Sequence, residues 1–267
     1  MARTFVNGIN INYREAGAGF PFVLIHGLSD SSMLWSPMIA KLSSRYRTIA
    51  PDLRGHGESD KPDMLYSVRL FTEDILYLLR KLSIRQANVM GLSLGAAIAQ
   101  DLALDHPAMV RSLILLSPFS QNDSDSRRNL ELLRDRVTRG GLSAFFDAAV
   151  RLVVTPEFVS ANADVISEAK DECIRSNSRE GVMHAIDACI NFDERGRISQ
   201  ITQPTLIISG KQDALTPIHL AQEIHFSIKG SEWKVMEGVG HNLLVSDNVS
   251  KIADIVMEFT SGGPSGS

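Results

Sequence analysis

Three residues of this chain have the types and the order that acyl transfer needs. Ser93 stands at the centre of Gly91-Leu92-Ser93-Leu94-Gly95, Asp213 follows Ser209-Gly210-Lys211-Gln212, and His241 follows Glu237-Gly238-Val239-Gly240. A free serine hydroxyl is a weak nucleophile. It needs a base to take its proton, and the base needs an acid that fixes its tautomer and stabilises the imidazolium. Read alone, the five-residue motif also suits a serine that merely caps a helix. The elements around it must decide.

Each of the three residues follows a run with strand character. Ala87–Met90 precedes Ser93, Thr205–Ile208 precedes Asp213, and Trp233–Met236 precedes His241. Three further runs read as strands: Phe22–Ile25, ending at His26-Gly27-Leu28; Arg47–Ala50, ending at Pro51-Asp52-Leu53-Arg54-Gly55-His56-Gly57; and Ser112–Leu116. Phe22–Ile25 is continuously apolar, as expected of a strand buried on both faces. Helical stretches alternate with these runs: Trp35–Leu42, Arg69–Leu82 with Phe71, Ile75, Leu78, Leu79 and Leu82 on one face, Leu94–Leu104, and Ile218–Phe226. A last helix turns Val249, Ile252, Ile255, Val256 and Phe259 inward. The chain opens with a hairpin, in which Asn7-Gly8 joins Thr4–Val6 to Ile9–Tyr13.

This is an α/β pattern with a mostly parallel sheet and an antiparallel start. Ligands of such sheets bind outside the carboxyl ends of the strands, which is where Ser93, Asp213 and His241 fall. The alternation stops between about 117 and 203, where only helices are expected, around Leu130–Val137, Leu142–Val153, Val165–Ile174 and Val182–Ile190. Residues 1–117 and 204–260 are therefore expected to form the core, 118–203 a helical cap over one edge of the sheet, and 261–267 a disordered Gly/Ser/Pro tail.

A sharp strand-to-helix turn leaves no room for side chains near the serine, which is the reason for Gly91 and Gly95. The Leu94 N–H opens the following helix and is expected to meet a developing oxyanion; the loop after Phe22–Ile25 places Leu28 to donate the second N–H. Phe145 and Phe146, on the amphipathic stretch 142–153, are candidates for an apolar substrate pocket, although the default reading of that stripe is cap-to-core packing. His26 and His56 are expected to shape their loops, and Asp52 and Arg54 to pair or hydrogen-bond beneath the site. His106, His184, His219 and His225 sit in or beside helices, are read as without carboxylate or cysteine companions, and are expected to hold ordinary positions.

Composition removes several other function classes. Against 31 acidic residues there are 27 Lys and Arg, a net charge of −4, which gives no electrostatic case for nucleic acid or an anionic membrane. No apolar run approaches the length of a membrane span, and the N-terminus lacks the apolar region of a signal peptide; a cytoplasmic location is expected. Cys173 and Cys189 are the only cysteines, too few for a disulfide framework or a zinc site, and are read as reduced thiols in helices. Neither a phosphate-binding GxxxxGK[ST] loop nor a dinucleotide fingerprint occurs. No cofactor and no metal are expected.

The stretches VLIHGLSDSSMLW, IAPDLRGHGESDKP, VMGLSLGAAIAQDLA, LIISGKQDALTP and EGVGHN, in this order, resemble the α/β-hydrolase superfamily. The resemblance runs from the Ile9–Tyr13 strand to the Val249–Phe259 helix. It implies an eight-stranded sheet flanked by helices, a helical cap after the sixth strand, a triad of Ser93, Asp213 and His241, and oxyanion donors at Leu28 and Leu94. Within the superfamily the chain is similar to small carboxylesterases, enol-lactonases and carbon–carbon bond hydrolases. Ser93 argues against haloalkane dehalogenases and epoxide hydrolases, which use aspartate there. Leu94-Gly95-Ala96 lacks the glycine pair usual in cofactor-free perhydrolases. The expected activity is hydrolysis of a small carboxylic ester or lactone by a monomer or homodimer, with meta-cleavage-type carbon–carbon hydrolysis or perhydrolysis as alternatives that use the same triad.

Overall fold

The computed structural model describes residues 1–245 and 248–261. Eight strands form one sheet in the order β1-β2-β4-β3-β5-β6-β7-β8. They are β1 (Ala2–Val6), β2 (Ile9–Ala16), β3 (Phe20–Ile25), β4 (Tyr46–Pro51), β5 (Ala87–Leu92), β6 (Val110–Leu116), β7 (Thr205–Gly210) and β8 (Glu232–Met236). β1 and β2 form the hairpin, β2 is antiparallel to β4, and every later pairing is parallel.

Helices cover both faces, which is why the central strands are apolar at consecutive positions. Val23 and Ile25 of β3 turn to one layer with α2 (Val68–Lys81) and α3 (Leu94–Asp105). Phe22 and Leu24 turn to the other, with α1 (Ser36–Leu42) and α9 (Asn248–Ser261). β6 alternates in the same way, with Leu113 and Leu115 on the first layer and Ile114 and Leu116 on the second. β3 pairs with β4 on one side and β5 on the other, so the strand order reverses at β3. A crevice opens at that point, beyond the carboxyl ends of the strands.

Between β6 and β7 lie four helices, α4 (Ser124–Val153), α5 (Pro156–Ala161), α6 (Ala163–Ser176) and α7 (Arg179–Ile190). The two stretches expected as separate helices form one run bent at Gly141, whose φ of 67° is outside the helical region. The short α5 was not expected; Thr155 caps it and Pro156 starts it. Leu133, Val137 and Phe145 of α4 and Val182 and Ile186 of α7 belong to the same apolar core as α2 and α3. The insertion thus packs over the ends of the central strands. α8 (Ile218–Ser227) links β7 to β8. Ser261, expected to open the tail, instead closes α9 with its hydroxyl bonded to the Met257 carbonyl; the other residues of the expected tail, 262–267, lie outside the described residues. No described helix is long and apolar enough to cross a membrane.

Candidate active site

The turn between β5 and α3 is strained at one residue. Ser93 has φ 54° and ψ −114°, a conformation that costs an L-residue free energy and persists only where its surroundings enforce it. Its N–H donates to the Leu116 carbonyl at 3.0 Å, and its carbonyl accepts from Ala96 and Ala97 at 2.8 and 3.1 Å. Its side chain makes no capping bond, so the helix-cap reading does not describe it. The two glycines are required sterically. A Cβ on Gly91 would sit 2.0 Å from the Gly95 carbonyl oxygen, and one on Gly95 would sit 2.1 Å from that of Ile25. The helix therefore starts directly against β3 and β5, and Leu94 is its first residue. The first N–H groups of a helix have no acceptor within it and remain free for a ligand.

Asp213 and His241, from the loops after β7 and β8, meet in a buried pair. His241 Nδ1 lies 2.8 Å from Asp213 Oδ2 and 3.1 Å from Oδ1. Asp213 Oδ1 also accepts the backbone N–H groups of Leu215 and Thr216 at 3.0 and 2.8 Å. The Thr216 hydroxyl is 2.9 Å from Asp213 Oδ2 and 3.0 Å from His241 Nδ1. A carboxylate offers only acceptors, so Nδ1 is the donor in this pair and Nε2 is the ring nitrogen left without a partner from Asp213. Ser117, itself at φ 45°, donates its hydroxyl to the His241 carbonyl at 2.7 Å. The loop carrying the histidine is thereby tied to the end of β6.

Ser93 and His241 line one cavity of about 340 Å³. Leu28, Phe145 and Phe146 line it too, as do Val150 and Val153 of α4 and Ile166 of α6. A much smaller recess on Leu28 and Ser93 extends toward Phe119, Asn122 and Thr216. Cys173 faces the large cavity, but burial pushes its thiol up to about 12, so it is no competing nucleophile at neutral pH. Cys189 is free and buried, and burial raises it to about 12 as well. Among the described residues no cluster of three or more His, Cys, Asp or Glu could hold a metal ion.

The sequence reading passed over Thr216, Ser117 and Asp30, and took Cys173 only as a reduced thiol in a helix. Asp30 lines the cavity with Ser93 and His241, and burial raises its carboxyl to about 7 while His241 pulls it the other way. Its only signal in the sequence was its place, four residues after His26 in a strand-end loop. Beneath the site, the Leu53 N–H donates to His26 Nε2 at 2.9 Å, which leaves Nδ1 as the donor to Gly27 O at 2.8 Å. His26 is therefore neutral and links the loops after β3 and β4. Asp52 accepts from Asn12, Ser32 and Glu58, whereas Arg54 forms a buried two-pronged pair with Asp74 at 2.5 Å, so the two do not bond to each other. Two helix histidines do have carboxylate neighbours from distant segments, His184 with Asp63 at 2.9 Å and His219 with Asp123 at 2.7 Å. Neither pair lines the cavity.

The family model described as the alpha/beta hydrolase fold matches residues 21–247, a span that holds every residue of this site. The chain belongs to the α/β-hydrolase fold family. A Mesorhizobium japonicum protein named 2-(acetamidomethylene)succinate hydrolase is 30% identical over 224 residues, covering 80% of this chain and 78% of that one. Among solved structures, the enol-lactonase from Burkholderia xenovorans LB400 superposes with a TM-score of 0.91 at 24% identity, covering 97% of this chain and 100% of that one. A meta-cleavage product hydrolase from Pseudomonas fluorescens IP01 reaches 0.79 at 21% identity, covering 98% and 97%. This hydrolase shares its fold with both.

Proposed function

We propose that this hydrolase cleaves small carboxylic esters or lactones through an acyl-enzyme intermediate. The observation that carries the reading is the shared cavity, which holds a strained Ser93 and a His241 whose other ring nitrogen is bonded to buried Asp213. In the first half-reaction His241 Nε2 takes the Ser93 proton as Oγ forms a bond to the substrate carbonyl carbon. The carbonyl π electrons move to oxygen, where the Leu28 and Leu94 N–H groups receive the charge. Collapse breaks the bond to the alkoxide, which leaves with the proton held by His241. Water then repeats the sequence on the acyl-enzyme, releasing acid and restoring Ser93. Asp213 keeps the imidazole in its working tautomer throughout.

The cavity limits the substrate. Its volume lies at the small end of the range for small-molecule sites, and its walls are chiefly the aliphatic and aromatic side chains of α4 and α6. No Lys or Arg is among its described lining residues. A dicarboxylate, as the name of the Mesorhizobium relative implies, would enter without a counter-charge, so this site suits esters and lactones that carry no carboxylate. Turnover of p-nitrophenyl butyrate by wild type and Ser93→Ala tests the reading. Loss of about 10³-fold or more is expected, since the serine and its base act as a unit. Undiminished turnover in Ser93→Ala removes the serine from the mechanism.

A further inference from the structure

We infer that Asp30 is a substrate-recognition residue whose carboxylate, set in the cavity beside Ser93 and His241, receives an ammonium group carried by the substrate. The inference rests on the serine-hydrolase reading of that cavity and adds the charge of the molecule that fills it.

The loop after β3 is built to aim Asp30 inward. Ser29 has φ 60°, a left-handed backbone that a non-glycine residue adopts at a cost. Its carbonyl is held by the Asn177 side chain at 2.9 Å, from the junction of α6 and α7, and Asn177 is itself buried. The Asp30 N–H closes the turn on the Gly27 carbonyl. A Cβ placed on Gly27 would be 3.3 Å from Asp30 Oδ2 and 3.5 Å from Ser93 Cβ, so both border one methyl-sized space next to the nucleophile.

The carboxylate has no partner of its own kind. It is half-buried in the cavity wall, and among the described residues none donates a hydrogen bond to it. Around it are Ser29 on its own loop, Cys173 and Glu172 on α6, and His241 after β8. Glu172 stands at the rim and is already paired with Arg175. Among the described lining residues Asp30 is thus the acid without a hydrogen-bonded partner. A bare negative charge there would oppose the oxyanion that forms on the substrate carbonyl, because like charges repel strongly where solvent is scarce. An ammonium on the substrate removes that opposition and contributes a charge-assisted hydrogen bond. Burial keeps the empty carboxyl protonated up to about 7, so below that pH the cation must displace a proton and above it binds without doing so. The substrate class is an amine-bearing ester or lactone, with its nitrogen a few bonds from the scissile carbonyl.

Benzylammonium, benzyl alcohol and benzoate serve as probes of matched shape, titrated at pH 8 by ligand-observed NMR into wild type, Asp30→Asn and Ser93→Ala. Wild type and Ser93→Ala are expected to bind benzylammonium about tenfold more tightly than benzyl alcohol, the scale of one hydrogen bond to a charged group. Benzoate should bind more weakly than either. In Asp30→Asn the preference for the cation should vanish. For matched esters, the ratio of kcat/KM between an ammonium-bearing and a neutral acyl group should fall about tenfold in Asp30→Asn. Equal binding of benzylammonium and benzyl alcohol by wild type overturns the proposal, and this arm stands even if Asp30→Asn does not fold. A preference that survives Asp30→Asn also overturns it. Loss of the hydrolase reading shows separately, as full ester turnover by Ser93→Ala, because the binding arm needs no catalysis.

Discussion

In the proposed mechanism His241 acts as a base with its proton on Nδ1, and two side chains hold it there. Asp213 accepts that proton's hydrogen bond, and the Thr216 hydroxyl reaches the same carboxylate oxygen at 2.9 Å. Asp213→Asn keeps the shape but offers an N–H₂ that can favour the wrong tautomer. A fall in kcat of about 10³–10⁴-fold is expected, read with p-nitrophenyl butyrate on protein whose circular dichroism matches wild type. Thr216→Val removes one hydrogen bond to a charged acceptor and should cost about tenfold in kcat, with Thr216→Ser restoring most of it. Equal loss in the Val and Ser variants would instead assign Thr216 to packing.

At the scale of elements, the site depends on how closely α3 approaches β3. Gly95→Ala places a methyl group against the Ile25 backbone, which has no flexible end to move aside. Urea unfolding should show a loss of about 2–3 kcal/mol. Gly196→Ala, in a turn with nothing within 4 Å of the added carbon, is the control and should change stability by less than about 1 kcal/mol. A Gly95→Ala protein as stable as the control would show that the close approach is not maintained in solution. The same geometry explains what was legible beforehand. Strands buried on both faces write themselves as unbroken apolar runs, so the ends of β5 and β7, and with them Ser93 and Asp213, can be located by reading along the chain. β8 is a largely exposed edge strand, and His241 was legible from its place after Gly238-Val239-Gly240 and after Ser93 and Asp213 in chain order. The bend at Gly141 and the short α5 leave weaker marks, because helix continues on either side of both. Asp30 and Thr216 were overlooked for a different reason. Asp30 matters because α6, some 140 positions away, encloses it, and Thr216 matters because the fold carries His241 to it; neither fact is local. Asp63 and Asp123 are likewise neighbours of helix histidines that no spacing along the chain could pair.

For the whole molecule, the buried titratable groups around the site pull stability in opposite directions as pH changes. Burial drives His56 down from 6.5 to about 3. The unfolded chain protonates this residue near 6.5, so its contribution is complete above that pH and is lost as pH falls toward about 3. Asp30 does the reverse. Its carboxyl is raised from 3.8 to about 7 by burial, so between those values the folded state keeps a proton that the unfolded chain releases. Stability therefore falls as pH climbs through that window and loses nothing further from this group above about 7. Asp30→Asn cancels the second effect and leaves the first. The difference in unfolding free energy between Asp30→Asn and wild type should grow from about pH 4 to about pH 7 and then stay level. Asp30 is only half-buried, and solvent entering the cavity screens part of its charge, so the full gap should be on the order of 1–2 kcal/mol. Urea titrations at pH 5, 6, 7 and 8 measure it. A gap that is constant across those four values would mean that the Asp30 carboxyl titrates in the folded protein as it does in the unfolded chain. A gap that widens and then levels would identify the cost this chain bears for keeping a carboxyl beside Ser93 that no described residue pairs, a cost that a bound cation would remove.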